Sequence, residues 1–227
     1  MAATGGRAVI VAIIGAESTG KSTLATALAE RVRTLAGLRC TWVPEHLRRW
    51  CDERGRTPRA DEQASIADAQ AAAIDAAAAA HDVVIADTTP LMTAVYSRML
   101  FGDDSLVADA IAFQRRCAVT LLTALDLPWE PDGLQRDGEH VREPVDGHLR
   151  ALLSTHGLGW SVVAGRGPAR ADAALDALSP LLAARGADLR ARLAVRNADP
   201  SAARWTCVRC DDPGCEHRSW RLARGGA

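Results

Sequence analysis

The chain has 227 residues, 48% of them hydrophobic and 24% charged, and a formal net charge of −1. This is the balance of a globular domain of ordinary size with room for a small appendage, and it excludes a disordered or fibrous chain. A charge so near zero gives no electrostatic case for nucleic acid or an anionic membrane, and no apolar run approaches the ~20 residues that cross a bilayer.

Residues Met1 to Arg7 are small and polar and lack the charged-then-apolar order of a secretion signal. The apolar run Val9 to Ile14 predicts a buried strand. It leads into Gly15 to Ser22, reading G-A-E-S-T-G-K-S, which fits the phosphate-loop pattern G-x-x-x-x-G-K-[ST] at every fixed position. Leu24, Leu28, Val32 and Leu35 follow at helical spacing, so a helix runs to about Ala36 with Gly37 as its stop. Strand, tight loop and helix N-terminus together surround an anion with backbone N–H groups. Gly15, Ala16, Glu17, Ser18, Thr19, Gly20, Lys21, Ser22 and Thr23 are therefore expected to bind ATP, with Lys21 on the β- and γ-phosphates and the Ser22 hydroxyl on Mg²⁺. Of 27 basic residues Lys21 is the single Lys, and a compact ammonium is kept at the one position that calls for it. Use of ATP sets the expectation of a cytoplasmic protein.

Cys40 to Val43 predicts a second strand ending in Pro44-Glu45, and a helix is expected to begin within His46 to Arg54. Thr57-Pro58 reads as a cap and first-turn proline opening an Ala-rich helix to about Ala80. Asp82 to Ala86 is a third buried strand ending at Asp87, with helices over Leu91 to Leu100 and Ser105 to Cys117. A fourth strand, Val119 to Leu125, leads to Asp126. The polar stretch Glu130 to Glu143 reads as a loop, followed by a helix from about Val145 to Thr155, a strand Trp160 to Ala164 and a helix through Leu182. Alternating strands and helices predict an α/β, three-layer fold with a five-stranded parallel sheet, covering residues 1–184. In such sheets ligands gather at the carboxyl ends of the strands, where the phosphate loop, Glu45, Asp87 and Asp126 all fall.

Asp87 is placed to hold Mg²⁺ beside Ser22, the alternative being a cap for the next helix. Glu45 can accept a proton from an attacking hydroxyl, with Asp87 as rival base, or serve only as a carboxylate complementing a helix dipole. Arg136 and Arg142 lie in a stretch suited to a lid over the transferring phosphoryl group, unless it is an ordinary charged loop. Arg48 and Arg49 are open between substrate contact and solvated surface.

The ordered set G-A-E-S-T-G-K-S-T-L, W-V-P-E, D-T-T-P-L-M-T-A-V-Y-S, L-F-G, D-L-P-W and D-G-L-Q-R-D-G resembles the ribosylnicotinamide kinase domain of bifunctional NAD-biosynthesis proteins, over roughly residues 8 to 182. The resemblance implies a P-loop kinase with Mg·ATP as donor and the 5′-hydroxyl of nicotinamide riboside as acceptor. It carries ATP binding to Gly15 through Thr23, the metal and acceptor region to Asp87, the lid to Arg136, and the adenine passage to Gly165 and Arg166. Two positions depart from the family pattern near the acceptor: His46 follows the Pro-Glu pair where an aromatic residue is usual, and Thr89 stands where Asp is common. A kinase for another nucleoside is the nearer alternative. An ATP-dependent switch that signals through its tail is the more distant one.

Residues 185–227 break the alternation, with nine Arg against five acidic residues. Cys207, Cys210, Cys215 and His217 supply the donor types of a structural Zn²⁺ site, alternatives being reduced thiols or a redox pair. A basic Cys-rich appendage is the expectation for this segment.

Overall fold

The structure, a computed structural model, describes residues 7–130 and 138–187. Five strands form one sheet: β1 (Val9–Ile14), β2 (Cys40–Val43), β3 (Val83–Asp87), β4 (Val119–Thr123) and β5 (Ser161–Val163). Their spatial order is β2-β3-β1-β4-β5, and every pairing is parallel. The expected α/β P-loop kinase-like fold is the fold observed.

Alternation along the strands sorts their side chains between two layers. Val9, Val11 and Ile13 join Val83, Ile85 and Leu121 in a core closed by α1 (Lys21–Arg31) and α7 (Gly167–Ala183). Their neighbours Ile14 and Leu122 face a second core, under α4 (Pro90–Phe101), α5 (Val107–Gln114) and α6 (Arg142–Thr155). Ile10, Val84 and Ala86 pack on Ile74 of α3 (Gln63–Ala80). A satellite cluster of Trp50, Cys51 and Ile66 joins α2 (His46–Arg54) to α3. Arg54 and Arg56 each lie over the Trp50 ring, at 4.5 and 5.0 Å from its centroid, and shield it from solvent.

Three boundaries differ from expectation. The first helix keeps α geometry only to Arg31 and continues as a π-helical turn, Val32–Ala36, before Gly37 ends it at φ 63°. The third helix does not open at Thr57-Pro58. Arg56 grips Glu62 with both guanidinium nitrogens (2.7 and 2.6 Å), and the same carboxylate receives the Arg59 N–H at 2.8 Å. That pair builds a 3-10 turn, Ala60–Glu62, from which α3 starts. The sixth helix begins at Arg142, earlier than the Val145 periodicity suggested, because Pro144 is tolerated in a first turn.

Among the described residues no helix is long and apolar enough to cross a membrane, and none forms a cluster of metal-ligating side chains. Arg136 and the set Cys207, Cys210, Cys215 and His217 lie outside the described residues.

Candidate functional site

The loop between β1 and α1 is shaped by glycine where nothing else fits. At Gly15 φ is +149°, and a Cβ there would overlap the Thr123 hydroxyl of β4. Gly20 adopts φ +72° directly before α1, and its Cβ would stand 3.0 Å from Leu127. Thr19 fastens the loop to the sheet: its hydroxyl donates to the Ala16 carbonyl at 2.7 Å and lies 2.7 Å from the Thr123 hydroxyl. Ser18 turns through φ 55°, and its hydroxyl receives the Glu130 N–H at 2.8 Å.

A buried arginine braces the loop from behind. Arg170 of α7 donates to the Thr19 carbonyl (2.9 Å), the Gly165 carbonyl (2.7 Å) and the Asp126 carboxylate (2.8 Å), while Asp126 also receives the Gly165 N–H. Asp126, at the end of its strand as expected, is thus a structural partner of Arg170. Arg142, expected in a lid, is buried at the start of α6 and donates to the Leu127 carbonyl at 2.8 Å, so it steadies the segment that packs on Gly20. Arg166 is exposed and holds the N-cap position of α7 beside Gly165, without a side-chain capping bond.

At the front of the loop, side chains from three strand ends converge. Lys21 donates to the Ala16 carbonyl at 2.8 Å. Burial pulls its pKa down, and Glu45, Asp87 and Glu17, in that order of effect, counter the fall. All three carboxylates are therefore within electrostatic reach of one ammonium. Asp87 closes β3 at 1% exposure. Burial raises its pKa, against the opposing influence of the Ser22 hydroxyl, Lys21 and Arg48. Its Oδ1 has no hydrogen-bond partner among the described residues. Thr89, not Asp87, occupies the cap position of α4. Glu45 holds the cap position of α2, but its side chain does not cap the helix.

A polar residue that sequence reasoning passed over ties two of these strand ends together. Gln70 of α3 is buried; its Oε1 receives the His46 N–H at 2.7 Å and its Nε2 donates to the Thr88 carbonyl at 3.4 Å. Thr88 is held at φ 69° with its own N–H on the Ile13 carbonyl. The available signal was an amide in the apolar stripe Ile66, Gln70, Ile74. Arg170 gave no such signal.

The convergence opens into a cleft of about 990 Å³. Its far wall comes from α2 (Leu47, Arg48, Arg49), from Thr57 and Pro58, and from α4 (Met92, Tyr96, Leu100, Phe101). Two walls with opposite characters, one an anion-binding loop and the other mixed apolar and basic, suit a phosphate donor and a separate small molecule.

Parallel sheet, phosphate loop, Lys21 and strand-end carboxylates define a P-loop nucleotide-binding domain. The sequence matches the AAA domain family over residues 10–170, and the chain belongs to that family. In structure it is similar to a NadR protein solved in complex with NAD and AMP-PNP, at TM-score 0.59 and 19% identity, covering 75% of this chain and 48% of that one. A NadR structure in complex with NR is similar at TM-score 0.58 and 19% identity, covering 75% of this chain and 50% of that one. The chain thus spans about half the length of these NadR proteins, and the likeness is one of fold. No curated protein sequence matches it.

Proposed function

We propose that the protein is an ATP-dependent small-molecule kinase that phosphorylates the 5′-hydroxyl of a nucleoside, with nicotinamide riboside as the acceptor. The observation that carries this reading is the meeting of Lys21, Asp87 and Glu45, from three separate strand ends, at the phosphate-loop end of a cleft too large for nucleotide phosphates alone. A similar fold was solved with NR bound, which supports a ribosylated acceptor. The backbone of Gly15 to Thr23 cradles the phosphates, and Lys21 follows the transferring group as charge develops. The buried, unpartnered Asp87 Oδ1 beside Ser22 is the donor set a hard cation needs, so these two residues would hold Mg²⁺, which when bound neutralises the phosphate oxygens. Glu45, less buried than Asp87 and on the acceptor side, takes the hydroxyl proton. Arg136 would neutralise charge on the transferring phosphoryl group, and Arg166, exposed beside Gly165, would contact the adenine.

The test is phosphoryl transfer from Mg·ATP to nicotinamide riboside and to a panel of ordinary nucleosides. The expected result is nicotinamide mononucleotide, formed at least ~100-fold more slowly by Lys21→Ala. Transfer to a different nucleoside would replace the acceptor and keep the chemistry. ATP binding without transfer to any acceptor would overturn the kinase reading in favour of a nucleotide-driven switch.

A further inference from the structure

A carboxylate stands inside the loop whose purpose is to attract anions. Glu17 is the third residue of the phosphate loop, 7% exposed, and it lines the large cleft. Pointed along bound phosphates it would oppose the N–H groups and helix dipole that hold them. The backbone avoids this conflict. Ser18 turns the chain at φ 55° immediately after Glu17, so the flanking side chains leave on different sides. Thr19 reaches back to Thr123 on β4, while Glu17 reaches toward α4, where the Tyr96 hydroxyl lies 3.5 Å from Glu17 Oε1. Helix α4 packs over Ile14 and Leu122 in one core layer, whereas α7, which carries Arg170, packs over Val9, Val11 and Ile13 in the other. The brace that Arg170 forms with the Thr19 and Gly165 carbonyls is on the Thr19 side. Tyr96 shares its wall of the cleft with Met92, Leu100 and Phe101, away from those groups.

We propose that Glu17 divides its roles: its backbone serves the phosphates, while its carboxylate, set beside Tyr96, recognises a ribose hydroxyl of the acceptor. An ionised carboxylate accepts hydroxyl hydrogen bonds more strongly than a neutral group does, and the half-dry cleft strengthens that preference. The phenol of Tyr96 both donates and accepts, so the pair can address two neighbouring hydroxyls. The acceptor class that follows is a sugar-bearing molecule with a free vicinal diol, selected over its deoxy analogues. The inference rests on the kinase reading above.

The test uses the full chain with Glu17→Gln and Glu17→Ala. Three quantities are measured: affinity for a non-hydrolysable Mg·ATP analogue, kcat/KM for nicotinamide riboside, and kcat/KM for its 2′,3′-dideoxy counterpart. The expected result is nucleotide affinity within twofold of the parent and a fall in kcat/KM for the riboside of about tenfold or more. With the dideoxy acceptor the penalty of the substitution should shrink to less than about threefold, since the interaction is missing from both sides of the cycle. A loss of nucleotide affinity, or an equal fall with both acceptors, overturns the assignment of Glu17 and leaves the kinase reading standing. A parent protein that phosphorylates no nucleoside overturns both. Tyr96→Phe, which removes one hydroxyl and no charge, carries the same discrimination readout if a Glu17 variant does not fold, and unchanged preference for the diol in that variant also overturns the proposal.

Discussion

Two carboxylates in this protein respond to pH with opposite signs. Asp87 is raised from its ordinary 3.8 by burial. The folded state therefore holds that proton more tightly than the unfolded chain, so this residue's contribution to stability falls as pH rises above 3.8, and at neutral pH the ionised form is a standing cost. Asp87→Asn removes the charge and keeps the shape. It should raise the melting temperature at pH 7 by a few degrees, about 1 kcal/mol in a domain of this size. On the proposed function the same variant should lose turnover by roughly 100-fold or more, because the Mg²⁺ site would lose its carboxylate. Stability gained as activity disappears is what a functional residue held under tension produces. Melts and assays on one preparation check both halves, and a variant that melts lower yet keeps turnover would contradict them. Glu62 runs the other way: the Arg56 guanidinium holds it down from 4.5 to about 2. Its contribution is present above 4.5 and is lost as pH falls toward 2. In Glu62→Gln the acid-side decline of stability should therefore be shallower than in the parent over that interval, as chemical denaturation at stepped pH would reveal.

At the level of elements, the phosphate loop depends on a residue far from it in sequence. Arg170 spans a separation of 151 residues to the Thr19 carbonyl and is 4% exposed. Arg170→Ala leaves two carbonyls and the Asp126 carboxylate without their donor, a loss of about 3 kcal/mol. The melting temperature should fall by roughly 6–12 °C, with a matching rise in KM for ATP. Arg170→Lys should recover little of either, since an ammonium cannot reproduce three fork-like contacts. This brace shows where sequence reading stops. The strands were legible because parallel strands buried on both faces are continuous apolar runs, as Val9–Ile14 is and as β3 is up to its terminal Asp87. The placement of Lys21, Ser22 and Asp87 on the cleft was legible because local motifs carry them there. Arg170 belongs to no local pattern, and its partners are backbone carbonyls, which carry no residue identity. The start of α3 was misread for a related reason: Thr57-Pro58 has the chemistry of a helix start, but the Arg56–Glu62 pair builds a different one.

Across the whole molecule, the groups expected to meet a nucleotide come from the ends of three strands that pair side by side in the order β2-β3-β1. The phosphate loop follows β1, Glu45 follows β2, and Asp87 ends β3. Lys21 lies within electrostatic reach of three carboxylates, and Gln70 links the His46 and Thr88 backbones directly. A ligand that binds only the folded arrangement adds RT ln(1 + [L]/Kd), about 2.7 kcal/mol at a hundredfold excess over Kd. Mg·ATP analogue at that level should raise the melting temperature by roughly 5–10 °C. In Lys21→Ala most of that shift should vanish at the same concentration, because the cation that answers the phosphate charge is gone. Gln70→Ala should behave differently. Its phosphate loop is intact, so the nucleotide shift persists, while the slackened registry between Glu45 and Asp87 lowers kcat by about tenfold or more. A Gln70→Ala variant that loses the nucleotide shift along with turnover would instead mean that the strand ends are one cooperative unit, held together by α3 rather than by the ligand.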